Sequence, residues 1–340
     1  MIYRSKAPLR IGLAGGGTDV SPYCDWYGGA IVNATISLFA HASIELLAEP
    51  KIILEAHDRN ESAIFNLQEE LPIDGQLDLL KGVCNCIQKD FQHFTTGFRL
   101  STFVDAPAGS GLGTSSTLVV AILGAFAEML QLPLGDYDIA HYAYQIERDY
   151  LQWIGGRQDQ YAATFGGVNF MEFYKDNKVI VNPLRLRNDC VLELENNLLL
   201  YYTATSRRSE RIIREQAANV LQQQREPVEA MHQLKRQAQM MKEALLKGQL
   251  AQLGEILDYG FCQKRKMATG ISNNLIEEIY DAAKRAGATG GKISGAGGGG
   301  FMLFYCPGAT KYAVMESLRK FGGYYRPYTF VEHGLTTWRI

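Results

Sequence analysis

The segment Asp105-Ala-Pro-Ala-Gly-Ser-Gly-Leu-Gly-Thr-Ser-Ser116 constrains this chain more than any other. It follows a β-rich run, Phe98 to Val104, and opens an apolar run, Ser116 to Leu130, that reads as a buried helix. Gly109, Gly111 and Gly113 lack a Cβ, so the backbone can turn sharply there and come close to a ligand. The hydroxyls of Thr114, Ser115 and Ser116 fall where the helix starts. A helix start offers unpaired N–H donors and a partial positive charge. Strand, glycine loop and helix start together make a cradle for an anion such as a nucleotide phosphate. The lysine of a Walker A loop is absent, which excludes a P-loop ATPase.

Two further glycine segments accompany it. Lys6 to Asp19 reads as a strand that ends in Gly15-Gly16-Gly17 and then presents Thr18 and Asp19. The Asp19 carboxylate suits a helix cap, and it equally suits two hydroxyls of a polyol. Arg10 lies in the strand running toward that loop and is expected to face the same cleft. Gly290 to Gly300 holds four consecutive glycines ahead of the buried strand Phe301 to Tyr305. Glycine there costs stability unless a backbone or ligand must approach closely, so a ligand-proximal loop is expected, including Gly297 and Gly298.

Two acids complete the set. Glu147 lies on the helix read over Tyr142 to Gln152, and Asp159 lies in a glycine turn that opens a new helix. On spacing alone they read as a helix-surface charge and a helix cap. A magnesium ion bridging nucleotide phosphates needs few hard oxygen ligands, and Glu147 with Ser115 would suffice. A second carboxylate, Asp159, could then orient or deprotonate an attacking hydroxyl.

Composition narrows the classes. The net charge of -2 gives no general attraction to nucleic acid or to an anionic membrane. The longest apolar run, Thr117 to Ala127, is too short to span a bilayer, and charged residues interrupt the first apolar stretch. The six cysteines are scattered and without CxxC spacing, and the histidines are dispersed, so neither a disulfide framework nor a zinc site is expected. A cytoplasmic protein is the expectation. Residues 1–185 mix strands and helices; from 186 onward a long Gln/Arg/Glu-rich helical stretch, broken at Pro227, precedes an alternating strand–helix end. An α+β chain of two closely packed domains, 1–185 and 186–340, is expected to enclose one cleft.

Together the segments Ala7-Pro-Leu-Arg10 with Gly15 to Asp19, Pro107 to Ser116, and Lys292 to Gly300 resemble the three ordered motifs of the GHMP kinase superfamily of small-molecule kinases. The resemblance covers nearly the whole chain. It implies an N-terminal domain like ribosomal protein S5 domain 2 and a ferredoxin-like C-terminal domain. It implies ATP held by Pro107, Gly109, Ser110, Gly111, Leu112, Gly113, Thr114, Ser115 and Ser116. It further implies Mg2+ on Ser115 and Glu147, with Asp159 and Arg10 as catalytic residues. Asp19, Thr18 and Gly17 would bind sugar, as would Gly297 and Gly298. Within the superfamily, Gly15 to Tyr23, Gly155 to Gln160 and Tyr202 to Arg207 look most like the D-glycero-D-manno-heptose 7-phosphate kinases. That implies a sugar-1-kinase making a 1,7-bisphosphate on the route to GDP-heptose and surface glycans, with a kinase for fucose, mannose or free heptose, or a non-catalytic sugar sensor on the same fold, as the alternatives. Arg157 and Arg207 are then expected at the substrate phosphate. Gly16-Gly17 in place of the Glu-His of galactokinase argues against galactose. Expected partners are ATP and a small sugar phosphate, with a homodimer as the candidate assembly and neither nucleic acid nor membrane.

Overall fold

The β-rich runs pair into two sheets. The structure, a computed structural model, describes residues 1–67, 70–91, 94–204 and 210–340. The strands are β1 (Ile2–Ala14), β2 (Gly29–Leu47), β3 (Lys51–Ala56), β4 (Glu61–Asn66), β5 (Gly97–Val104), β6 (Val168–Phe173), β7 (Val179–Pro183), β8 (Leu198–Tyr202), β9 (Gly290–Ile293), β10 (Phe301–Tyr305), β11 (Tyr324–Tyr325) and β12 (Thr336–Arg339). The larger sheet runs β12-β1-β2-β5-β3-β4, with β6 also on β2 and β7 on β6. The smaller runs β11-β8-β10-β9. All pairings are antiparallel except β3 with β5.

β2 is 19 residues long and is shared along its length. Gly29–Ala34 pairs with β6, whereas Ala40–Leu47 pairs with β5. Ala40, Ala42 and Ile44 are buried and alternate with half-buried residues, as one covered sheet face requires. The helix Thr114–Leu130 covers that face. Val119 to Phe126 are buried without a break, which is why its sequence has no polar stripe. The smaller sheet has its own core, in which Leu199, Tyr201, Met302 and Phe304 meet Ile276, Ile279, Val314 and Leu318.

The structure departs from the sequence reading in four places. The helix read over Tyr142 to Gln152 does not run through: the helix Asp136–Gln145 gives way to a wide π-type turn, Ile146–Tyr150, closed by the Leu151 amide on the Ile146 carbonyl. Pro227 interrupts nothing: it sits in the first turn of the helix Arg225–Leu246, where a missing N–H costs little. The last strand of the alternating strand–helix end is only two residues long, Tyr324–Tyr325, because Pro327 has no ladder donor. β12 was not foreseen, and it carries the chain from the second half back onto β1. The boundary near residue 185 therefore separates the two sheets in all strands but that one.

The buried side chain of Gln237 ties the first glycine turn to the second half. Gln237, 1% exposed, accepts from the Gly15 amide (3.1 Å) and donates to the Ile256 carbonyl (2.9 Å). Gln237→Leu strands both backbone groups, and unfolding in urea is expected to show a loss of roughly 2–4 kcal/mol.

Candidate active site

A cleft of about 200 Å³ opens where the three glycine segments meet. β1 delivers Arg10 to it through an irregularity. Its register on β2 slips between Pro8 and Arg10 and resumes with Arg10 opposite Thr35, and the Arg10 amide donates to the Leu112 carbonyl (3.2 Å). A bulge re-aims the side chain it carries. The Arg10 guanidinium, on a residue 3% exposed, donates to the Gly111 carbonyl (2.7 Å), and its Nε and Nη2 both reach Asp159 Oδ1 at 2.6 Å.

The loop that leads into the helix Thr114–Leu130 is held from behind by the third glycine segment. The Phe301 amide donates to the Ser110 carbonyl (2.9 Å) and the Ser294 hydroxyl to the Gly111 carbonyl (2.7 Å). A Cβ on Gly111, whose φ is +81°, would lie 2.6 Å from the Ser294 carbonyl oxygen, so only glycine lets the two loops touch. No side chain caps the helix. Its first turn, with Thr114, Ser115 and Ser116, lines the cleft beside Gly109, Gly111 and Gly113. An uncapped helix start facing a cleft fits a phosphate. Pro107 is exposed and only closes the turn, accepting from the Ser110 amide, while Leu112 is buried in the core.

The π-type turn brings two consecutive residues, Glu147 and Arg148, to the cleft wall. Glu147 is 1% exposed, and Gln160 Nε2 donates to its carboxylate and to the Ser116 hydroxyl. Asp159 lies against the phosphate loop: a Cβ on Gly113 would sit 3.1 Å from its carboxyl carbon. Among the described residues no three His, Cys, Asp or Glu side chains gather as a metal cluster. A cation here would rest on one carboxylate, one hydroxyl and phosphate oxygens, a set that fits magnesium.

Asp19 is buried, and its Oδ2 accepts from the Arg157 amide (2.9 Å) and the Gln158 amide (3.1 Å). Gly156 permits this, since a Cβ there would lie 1.9 Å from that oxygen. Burial raises the Asp19 pKa, the nearby Asp159 adds to the rise, and the backbone donors oppose it.

Several expected residues lie elsewhere. The Thr18 hydroxyl is spent inside the turn, its one proton shared between the Gly15 and Ala30 carbonyls and its oxygen accepting from the Ala30 amide. Gly297 and Gly298 turn away against Ile271, and Gly295 and Ala296 line the cleft instead. The Arg157 guanidinium points behind the site, donating to the Tyr174 carbonyl (2.8 Å), Ser21 Oγ (3.0 Å) and Asp25 Oδ1 (3.0 Å). It props the turn that holds Asp19 and is not free for a phosphate. Arg207 lies outside the described residues.

Sequence reasoning missed Arg148, Lys264 and Gln216, all on the cleft wall. Arg148 adjoins Glu147 and was legible by position. Lys264 and Gln216 lie on ordinary helices with no motif around them. Lys264, 3% exposed, donates to the Gly295 carbonyl (2.6 Å) and the Gly16 carbonyl (3.5 Å). Burial pulls its pKa down from 10.5 to about 8; Asp19 resists the fall and Arg10 adds to it. Lys292, also buried, donates to the Gly12 carbonyl (2.9 Å), and burial beside Lys264 and Arg10 holds its pKa well below the lysine range.

The Lys264 shift sets a pH signature. Below about pH 8 the folded and unfolded chains both carry the proton, and the burial penalty is felt in full. Between about 8 and 10.5 the folded chain releases it first, so stability is gained as pH rises. In urea unfolding, wild type is expected to gain on Lys264→Met between about pH 7.5 and about pH 10. A constant difference would mean that Lys264 is not strained by burial.

The GHMP kinase N-terminal domain model matches residues 78–167 and the GHMP kinase C-terminal model residues 241–323. D-glycero-alpha-D-manno-heptose 7-phosphate kinase of Campylobacter jejuni is 47% identical over 99% of both chains. The solved structure of a D-glycero-D-manno-heptose 1-phosphate kinase from Bacteroides thetaiotaomicron superimposes with a TM-score of 0.85 at 43% identity over 99% of both chains. The L-fucokinase/L-fucose-1-P guanylyltransferase of Bacteroides fragilis is more distant, 27% identical over 87% of this chain and 34% of its own length. With an uncapped helix start after the glycine loop, an Arg–Asp pair beside it and matches of this extent, the chain belongs to the GHMP kinase family.

Proposed function

We propose that this kinase transfers the γ-phosphoryl group of ATP to the anomeric hydroxyl of D-glycero-α-D-manno-heptose 7-phosphate, giving the 1,7-bisphosphate. The near-full-length likeness to the Campylobacter jejuni enzyme supports the substrate. One observation carries the chemistry: Asp159 is pinned by Arg10 directly against the Gly113 turn, where carboxylate, guanidinium and phosphate loop converge.

The loop from Gly109 to Ser116 receives the triphosphate on the open first turn of its helix. Ser115 and Glu147 would hold magnesium, whose charge would offset that of the phosphates. Gln160 keeps the Glu147 carboxylate turned toward the Ser116 side of the loop. Asp159 orients the attacking hydroxyl and takes its proton, and the oxygen not held by Arg10 is the one available for this. Arg10 balances the charge that builds at the transferring group. Asp19, with both backbone bonds on Oδ2, has Oδ1 left to accept a sugar hydroxyl.

Magnesium-dependent ADP release should be measured over a panel of sugars and sugar phosphates. Turnover with the heptose 7-phosphate but not with free heptose, fucose or mannose is expected. Turnover with free sugars would discard the substrate assignment. Asp159→Asn is expected to retain the fold and ATP affinity while kcat falls by about 100-fold or more. A rate near wild type would remove Asp159 from the reaction.

A further inference from the structure

Gln216 lies on the helix Glu210–Leu221, one turn after Ile213, and both side chains line the cleft. It is 2% exposed, yet its Nε2 has no partner among the described residues. Its Oε1 would lie 3.6 Å from a Cβ on Gly17, so the amide sits over the first glycine turn. A buried donor left unpaired costs stability in the free protein and calls for an explanation. Lys264 approaches the same turn from the helix Leu253–Lys264. Its ammonium carries three donors, and the Gly16 and Gly295 carbonyls account for two. Neither residue belongs to the three glycine motifs, and both stand on the cleft wall with Asp19.

We infer that Gln216 and Lys264 are specificity-determining residues that donate to hydroxyl oxygens of the sugar, while Asp19 accepts from its hydroxyl protons. This rests on the kinase reading above and adds to it the residues from the second half of the chain that select the substrate. A polyol hydroxyl both accepts and donates, so it satisfies an amide donor and a carboxylate at once. A sugar lacking that hydroxyl strands the buried donor, which a site built in this way rejects.

The test compares wild type with Gln216→Met, which keeps length and shape but removes the donor. KM for the heptose 7-phosphate is expected to rise about tenfold. KM for ATP should stay within about twofold. The thermal midpoint of the free protein should not fall, because an unpartnered buried donor has been removed. A sugar KM within about twofold of wild type overturns the inference, as does a joint rise of both KM values with a lower midpoint. A second arm uses heptose 7-phosphates each lacking one hydroxyl. The analogue that wild type rejects most should be penalised far less by Gln216→Met, and equal penalties in both proteins overturn the inference. Wild type silent with every sugar phosphate sinks the kinase reading and this inference with it. Wild-type turnover with an indifferent Gln216→Met sinks this inference alone.

Discussion

The site depends on where the carbonyl groups of one glycine loop are directed. Ser110, Gly111 and Leu112 each present a carbonyl to a donor behind the loop: the Phe301 amide, the Arg10 guanidinium with the Ser294 hydroxyl, and the Arg10 amide. With the carbonyls anchored to the rear, the helix start is left open on the cleft side. Those donors come from opposite ends of the chain, so the phosphate cradle exists only once both sheets are in place. Arg10 serves twice, fixing the loop and Asp159 together, and a displacement of one would move the other.

Charge is organised around the same point. Arg10, Lys264 and Lys292 are buried within reach of one another's fields, against Asp19 and Asp159. Buried like charges are costly unless compensated. Backbone carbonyls of Gly12, Gly16, Gly111 and Gly295 compensate here, which gives those glycines an electrical duty beyond permitting close approach.

Much of this was legible in the sequence because glycine and acid patterns are local. The three glycine loops, the acids Glu147 and Asp159 and the buried helix behind the middle loop can be read from the sequence; the Arg10–Asp159 pair cannot, because a register slip in β1 and a separate turn bring its partners together. The failures share a cause. Arg157 and Thr18 were read as ligand contacts because they flank functional residues, but their side chains are consumed by neighbours that only tertiary packing reveals. Lys264 and Gln216 were invisible for the converse reason: helix periodicity says which face is covered but not that the cover is a cleft. β12 was missed because its Thr-Thr-Trp signal spans only four exposed or half-exposed residues, too short to show a buried alternation; its partner β1 supplies the reason to extend.

That last strand changes the outward character of the molecule. β1, 13 residues long, would otherwise present a long row of unpaired amides and carbonyls at the flank of the larger sheet. Such a flank is a template on which another chain can add. β12 covers its first part, from Tyr3 to Lys6, and presents there an edge only four residues long, ending in Trp338 and Arg339. The strand that joins the two halves thus also guards solubility, and fraying there would announce itself as self-association before it touched the chemistry.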